Sequence, residues 1–245
     1  DSSQATVTVE LEPESTGLLL REANDAYRTR PDELMVAALA PVLEARPDGI
    51  VSLALEHHGR PTDRPGIDLS RTVGWFTAQY PVTLMADAID DGRLIAATKE
   101  ALRGVPGGGV GYGTLRYLHQ LPELRHQPEP AVLFNYVGRE SDNGGGMFRR
   151  VSWGTDTARH PDNGRAHRFE VVSFIRDGKL TVEWNYSSLH DSRDAVEAMA
   201  GAHLARLRTI ITHCMDDGTG GLTPSDFPAV GMDQNELDQF LDGLL

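Results

Sequence analysis

One glutamate, Glu56, has the residue type and the setting for acid/base chemistry. Residues 50–56 read IVSLALE, and their alternation predicts a strand in which Leu55 and Glu56 face opposite ways. A carboxylate that emerges behind apolar sequence is partly desolvated, which favours its protonated form and suits it to proton transfer near neutral pH. A structural role is the alternative, because Arg60 is close enough in sequence to pair with Glu56 and cap the strand.

Two histidines, His57 and His58, follow at once and suggest a metal or acid/base site, since imidazole titrates near neutrality. Neighbouring residues of a strand face opposite ways, so we expect the two rings not to bind one ion together. The sequence contains no HExxH, and the residues after His58 do not continue into HHxxxDG. We therefore predict no metal site.

The glycine-rich segment 106–113, PGGGVGYG, resembles a phosphate-binding loop only in composition. It has no GxGxxG frame and no GK[ST], and it follows a predicted helix rather than a strand. Its glycines fit a helix stop and a tight turn where two backbones approach closely. A GxSxG elbow is also absent, so the sequence does not support a serine hydrolase. We predict no bound nucleotide.

Composition narrows the class of protein further. The chain has 245 residues, 40% of them hydrophobic, and a net charge of -13, which argues against binding to nucleic acid or to an anionic membrane. A single cysteine, Cys214, rules out an internal disulfide and fits a reducing, cytoplasmic location. No apolar run approaches the ~20 residues of a membrane helix. The chain begins with Asp rather than Met, so we expect a fragment of something longer.

Patterns along the chain predict strands and helices in alternation. Strands are expected at 5–11, 50–56, 79–84 and 131–137, and helices after Ser15 and Thr16, from Pro31 to about Arg46, and at 89–104. The segment 139–167 holds five glycines and predicts a long loop or a weakly paired hairpin.

The clearest pattern is a hairpin, because two alternating runs within 168–187 flank the tight-turn dipeptide Asp177-Gly178. Apolar residues from Val196 to Cys214 then recur at helical spacing, and a short acidic helix is predicted near 233–243. Together these elements indicate an α/β or α+β fold with a mixed sheet and helices on at least one face.

Four segments, in this order, resemble the C-terminal core motifs of nonribosomal peptide synthetase epimerization domains. LEHHGRP (55–61) is similar to the family's EGHGRE, RTVGWFTAQYPVTL (71–84) to RTVGWFT-x-x-YP, PGGGVGYG (106–113) to PxxGxGYG, and FNYVGR (134–139) to FNYLG. The segments 22–40 and 213–228 also look like that family. The resemblance therefore spans essentially the whole chain.

The resemblance implies a fold like that of chloramphenicol acetyltransferase, with two lobes and a tunnel between them for a carrier-tethered substrate. This chain matches the second lobe, over residues 1–226, with a C-terminal tail and short helix at 227–245. The family's HHxxxDG motif belongs to the first lobe and does not occur here. The implied partners are that N-terminal lobe and a peptidyl carrier protein, with no nucleic acid and no membrane.

The reaction implied by the resemblance is inversion at Cα of an aminoacyl or peptidyl thioester. Glu56 matches the catalytic glutamate, opposite the missing histidine, and Arg60 could orient it. Asn135 and Tyr136 match the FNY segment near the site, and strand alternation predicts that only one of them faces Glu56. The residues expected to bind substrate are Trp75, Phe76, Thr77 and Tyr112. No cofactor is bound directly, since the substrate is carried on the phosphopantetheine of the carrier protein.

Two further expectations concern His57 and the RTVGWFT segment. His57 stands where the family usually has glycine, and it would be strained if the position required positive φ. Trp75, Phe76 and Tyr80 are expected to contribute to an exposed apolar face that meets the missing lobe.

Two alternatives stay open on sequence grounds. One is a lobe of the related condensation domain, although Trp75 and Thr77 favour epimerization over that family's VGxFxN. The other is a lobe without catalytic activity that only docks carrier proteins or accessory enzymes.

Overall fold

A computed structural model of the protein describes residues 3–43, 46–60, 68–69, 71–86, 90–140 and 163–243. Six strands of the described residues form one mixed sheet in the order β1-β6-β5-β4-β2-β3. The strands are β1 (Gln4–Leu11), β2 (Ile50–His57), β3 (Ala78–Met85), β4 (Val132–Arg139), β5 (Phe169–Arg176) and β6 (Lys179–Ser187). Strands β2, β4 and β5 run parallel to one another, and the remaining pairs are antiparallel. The predicted mixed sheet with covering helices is confirmed.

The helices of the described residues are α1 (Pro13–Leu20), α2 (Pro31–Leu39), α3 (Asp91–Arg103), α4 (Val110–Gly113), α5 (Pro122–Arg125), α6 (Arg193–Met215) and α7 (Gln234–Asp242). Short 3₁₀ turns lie at Glu22–Asn24, Ala40–Val42, Pro106–Gly109 and Pro224–Asp226, and a π-helical turn lies at Thr114–Leu118. No helix among these residues is both long and apolar enough to cross a membrane.

Two predicted helix boundaries were wrong. Helix α1 begins at Pro13, not after Ser15 and Thr16. The Thr16 hydroxyl does not cap the helix, because it donates to Leu11 O and accepts from Leu180 N. Helix α2 ends at Leu39 instead of continuing toward Arg46, since the next turn contains a proline that cannot donate to the α-helical ladder. Residues 44 and 45 lie outside the described part of the chain.

The predicted hairpin is confirmed as β5 and β6. Its two turn residues, Asp177 and Gly178, have φ of 50° and 77°, the left-handed values that a two-residue hairpin turn requires. The predicted loop at 139–167 lies mostly outside the described residues.

The helices pack on one face of the sheet, where α2 and α6 lie against each other and α6 lies against β1. That face supplies the core, which includes the fully buried side chains of Leu11, Leu19, Leu34, Leu39, Leu53, Leu180, Val182, Trp184 and Leu207. The opposite face carries mainly polar side chains, including Ser52, Glu56, Gln79, Thr83, Glu170 and Glu183. The division follows directly from the alternation of strand residues, and it leaves Glu56 on the polar face.

The segment PGGGVGYG packs against edge strand β3, as a turn rather than a phosphate loop. Gly109 has φ of 79°, and a Cβ added there would lie 1.9 Å from the ring of Tyr80. Glycine is therefore required for the close approach that the sequence predicted.

Candidate functional site

A cavity of about 470 Å³ opens at the carboxyl ends of strands β2 and β4. Side chains at the ends of adjacent parallel strands meet at one edge of a sheet, which is where open α/β sheets place their ligands. The cavity is lined by Arg30, Asp32, Leu55, Glu56, His57, His58, Thr77, Tyr80, Leu102, Phe134, Asn135, Tyr136 and Val137.

Glu56 and Asn135 meet in this cavity because they occupy matching positions of parallel strands. The Asn135 amide donates to Oε2 of Glu56 at 2.5 Å. Tyr136 follows Asn135 and therefore faces the helix-covered side, where it lies against the core. The prediction that only one of the two faces Glu56 is confirmed, and that residue is Asn135.

Strand β4 has a register irregularity between Tyr136 and Gly138, where it pairs with β5. Gly138 has φ of 91°, and Val137 between them lines the cavity. A bulge at this point redirects the strand just beyond Asn135 and Tyr136, as bulges commonly do beside functional sites.

Arg60 lies away from the carboxylate of Glu56. Its guanidinium donates to Leu69 O at 2.6 Å and sits 4.4 Å from the centre of the Phe76 ring. The ion pairs found among the described residues do not include one between Glu56 and Arg60, so the strand-capping alternative lacks its expected contact. Arg60 instead ties the RTVGWFT segment to the end of β2.

The rings of His57 and His58 lie 3.9 Å apart, so the expectation that they face opposite ways was wrong. Strand alternation ends with His57, the last residue of β2, and His58 is no longer constrained by it. The Nδ1 atom of each ring accepts a backbone N–H, from Gly59 at 3.4 Å and from Arg60 at 3.1 Å. No group of three metal-binding side chains occurs within the described ranges.

His57 fits its position without left-handed backbone, since it is not among the residues with positive φ. Burial lowers the pKa of its imidazole, and the neighbouring His58 and Arg30 lower it further. The strain considered for a histidine at this position is therefore not present, and the ring is favoured in its neutral form.

The other residues predicted to bind substrate are spread over different surroundings. Thr77 lines the cavity with Glu56, whereas Trp75 is 90% exposed. Phe76 packs under the Arg60 guanidinium, and the hydroxyl of Tyr112 accepts from Arg116 at 2.6 Å. Of these four side chains, only Thr77 is brought to the cavity.

The exposed apolar side chains expected in the RTVGWFT segment are present in part. Val73 and Trp75 are almost fully exposed, and exposed apolar side chains also occur at Val110, Leu115, Tyr117, Leu118 and Leu121. Tyr80 is not among them, because it is 8% exposed and packs in the core.

Sequence reasoning missed Asp32 and Tyr80 at the cavity wall. Burial raises the pKa of the Asp32 carboxyl, an effect that nearby Arg30 opposes. Burial and the charge of Asp32 also raise the pKa of Tyr80 and Tyr136, so both phenols are held protonated. The signal for Asp32 was its place directly after Pro31, in the first turn of α2, where a carboxylate is favoured.

Comparison with known proteins shows the family to which this chain belongs. A family model described as "Condensation domain" matches residues 1–227. The chain belongs to the condensation domain family. This confirms the predicted membership of the superfamily that serves nonribosomal peptide synthesis.

The curated relatives are peptide synthases of much greater length. The chain is 36% identical over 244 residues to tyrocidine synthase 2 of Brevibacillus parabrevis, covering 97% of this chain and 7% of that protein. It is 35% identical over 237 residues to bacitracin synthase 3 of Bacillus licheniformis, covering 96% of this chain and 4% of that protein. This condensation-family chain therefore spans a small part of the relatives it matches.

Solved structures share the fold of this chain. The epimerization domain from the third module of tyrocidine synthetase B is 34% identical, with a TM-score of 0.78 over 87% of this chain and 49% of that one. The first condensation domain of the CDA synthetase is 17% identical with a TM-score of 0.59, over 87% of this chain and 46% of that one. The second likeness shows the fold alone.

Proposed function

We propose that this chain is the C-terminal lobe of an epimerization domain, which inverts Cα of an aminoacyl or peptidyl thioester on a peptidyl carrier protein. The observation that carries the proposal is the Glu56 carboxylate at the cavity, bonded by the neutral amide of Asn135 at 2.5 Å. The 34% identity to an epimerization domain supports the same assignment.

In the proposed reaction Glu56 takes the α-proton of the thioester substrate. The Cα–H bond breaks, its electron pair passes into an enolate of the thioester, and the carboxylate becomes a carboxylic acid. A second acid then delivers a proton to the opposite face of Cα. By the family resemblance, that acid is the histidine of an N-terminal HHxxxDG lobe, and the two groups exchange roles when the reaction runs in reverse.

Asn135 has a clear part in this scheme. Its N–H stabilises the carboxylate form of Glu56 and holds one oxygen in place, which fixes the direction from which the α-proton is removed. Neutral Asn135 does this without the strong preference for the ionised form that a guanidinium at the same distance would impose. Thr77 and Tyr136 line the same cavity and are the proposed contacts to the bound arm and substrate.

The substrate reaches the site on the phosphopantetheine arm of the carrier protein, and no other cofactor is invoked. The exposed side chains of Val73 and Trp75 support a contact between the RTVGWFT segment and the N-terminal lobe. Completing the tunnel in this way would exclude water from the enolate.

The test is the variant Glu56→Gln in a complete epimerization domain that contains this chain. Glutamine keeps the size of the side chain but cannot accept and return a proton, so we expect α-proton exchange to fall by ~100- to 10,000-fold. Exchange is measured as solvent deuterium at Cα of a carrier-bound aminoacyl thioester, together with the ratio of L to D product.

The outcome that contradicts the proposal is parental exchange in the Glu56→Gln domain. Amide-bond formation without deuterium uptake would instead favour a condensation lobe, the second candidate, which the match to the Condensation domain model supports. Thr83→Val on strand β3 serves as the control, because Thr83 shares the polar face with Glu56 but does not line the cavity.

A further inference from the structure

A hydrogen bond crosses the polar face of the sheet beside Glu56. Gln79 on β3 is the direct antiparallel neighbour of Glu56, as Asn135 on β4 is its parallel neighbour. The three side chains therefore form one row across adjacent strands, with the carboxylate in the middle. Side chains directly opposite in an antiparallel pair have Cβ atoms about 5 Å apart, so Gln79 and Glu56 are within reach of each other.

Gln79 is also held by His167, a residue from a distant part of the chain. Nε2 of Gln79 lies 2.9 Å from Nε2 of His167, and Nδ1 of His167 lies 2.7 Å from Pro130 O. His167 is only 5% exposed. Pro130 and His167 lie outside the four family segments, whereas Gln79 lies within the segment 71–84, so the contacts join three parts of the chain that are distant in sequence.

The donors and acceptors of the contacts between Gln79, His167 and Pro130 follow from the chemistry of these groups. A carbonyl oxygen can only accept, so Nδ1 of His167 must donate to Pro130 O. In the neutral ring Nε2 is then an acceptor, and the amide of Gln79 must donate to it. The donor to His167 is therefore the nitrogen of the Gln79 amide, and the Gln79 oxygen can accept a hydrogen bond from another group.

The contact between Gln79 and His167 also passes over the strand that carries Glu56. His167 precedes β5 and bonds to the residue before Ala131, whereas Gln79 lies on β3, and β2 runs between β4 and β3. Ala54, which shares this face with Glu56 two residues away, is 1% exposed and lies between its strand neighbours Pro81 and Leu133.

We infer that Gln79 and His167 are positioning residues for Glu56, with His167 orienting the Gln79 amide so that its oxygen faces the carboxyl group. Asn135 then offers an N–H to the carboxylate form, and Gln79 offers an oxygen that can accept from the protonated form. A group that must alternately bind and release a proton is thereby stabilised in both states. The relevance to catalysis rests on the proposed function, whereas the arrangement itself does not.

The experiment follows the titration of Glu56 directly, by ¹³C NMR of its carboxyl carbon in this chain. Gln79→Leu removes the oxygen that accepts from protonated Glu56, and His167→Leu removes the residue that orients this oxygen. The apparent pKa of Glu56 should therefore fall, by roughly 0.5 to 1 pH unit for one neutral hydrogen bond. His167→Gln should restore the parental titration, because its amide can donate to Pro130 O and accept from Gln79.

His203→Leu is the matched control. His203 is also fully buried and also bonds a backbone carbonyl, Met35 O at 3.2 Å, but on the helix-covered face. It should leave the titration of Glu56 unchanged. The double variant Gln79→Leu/His167→Leu should shift it no further than either single variant.

An unchanged titration in Gln79→Leu would overturn the inference, as would additive shifts in the double variant. Gln79 is exposed, so its variant should fold even where His167→Leu does not. If Gln79→Leu shifts the titration of Glu56 but the complete domain shows no α-proton exchange, the arrangement is supported and the epimerase function is rejected.

If Glu56→Gln abolishes exchange but Gln79→Leu leaves the titration of Glu56 unchanged, the epimerase function is supported and the arrangement is rejected.

Discussion

Glu56 and Lys99 are ionisable side chains in the same lobe with contrasting surroundings. Lys99 is fully buried in α3, where its ammonium donates to Asp226 at 2.6 Å and to Tyr27 O at 2.7 Å. Glu56 is half-buried at a cavity, where the neutral amide of Asn135 donates to one of its oxygens. Opposite charges stabilise each other's ionised form, whereas the hydrogen bond from Asn135 comes from a neutral group.

The charges around Lys99 extend into a network that holds the C-terminal segment to the helices. Arg103 donates to both oxygens of Glu33, at 2.9 and 3.0 Å, and also reaches Asp226 at 3.4 Å. Asp226 in turn accepts from Thr223 N at 2.9 Å. These charges stabilise the fold around the site, and the comparison teaches that the burial of Lys99 is explained by its ion pair with Asp226.

The largest effect on stability is expected from Lys99→Met. The change leaves Asp226 buried without its ammonium partner, and breaking one side of a buried ion pair costs ~3–5 kcal/mol in the free energy of unfolding. Chemical denaturation measures this loss as a lower midpoint, with an unchanged dependence of the free energy of unfolding on denaturant concentration. Lys179→Met, which breaks the exposed pair with Glu10, is the matched control and should leave the midpoint nearly unchanged.

Adding Asp226→Leu to Lys99→Met should recover much of that loss, because no buried charge then lacks a partner. A Lys99→Met chain as stable as the parent, or a double variant that is weaker than Lys99→Met alone, would break the contrast with Glu56.

Asn135→Leu tests the other half of the comparison. It removes a hydrogen bond to a charged group, which is worth ~1.5–3 kcal/mol, so α-proton exchange in a complete domain should fall roughly 10- to 100-fold. Thr83→Val is the control on the same face of the sheet, since Thr83 is exposed and does not line the cavity. Equal losses in the two variants would show that the row on the polar face has no special part in exchange.

The pH dependence of stability tests the same carboxylate. Burial alone would raise the pKa of Asp226, but hydrogen bonds from Lys99 and Thr223 and the charge of Arg103 outweigh it and hold the pKa below its usual value. The stability contributed by this carboxylate is thus fully present above the unfolded value near pH ~4 and is lost as the pH falls through the folded value.

Asp226→Asn should therefore be less stable than the parent above about pH 4, with the difference shrinking at lower pH. Unfolding midpoints measured from neutral pH downward check this. A difference that grows on acidification would reverse the sign and remove Asp226 from the network.

Much of the fold was predictable because strand alternation and turn chemistry are local. The hairpin at Asp177-Gly178 and the strand that carries Glu56 depend on neighbouring residues alone. The boundaries of α1 and α2 were less predictable, because Thr16 hydrogen-bonds to a residue 164 positions away and the proline after Leu39 permits a further 3₁₀ turn.

The position of Glu56 in the candidate site could be predicted from the sequence, but most of the residues around it could not. Strand alternation placed Glu56 on the polar face and predicted that only one residue of the FNY segment would accompany it. The bridge between Gln79 and His167 joins residues 88 positions apart, and no local pattern encodes that distance. Lys99, by contrast, lies on the apolar stripe of α3 between Ile95 and Leu102, which was a signal for a buried charge.

The pairing of β1 with β6 has a consequence for how the lobe forms during protein synthesis. Gln4 pairs with Ser187 and Leu11 with Leu180, so the first strand of the lobe to leave the ribosome waits for the last. At roughly 5–20 residues per second, that delay is roughly 10 to 40 seconds. During this interval β1 lacks its partner strand β6, and the apolar side of that strand is available to chaperones. Pairing of β1 with the sheet therefore follows translation of the hairpin.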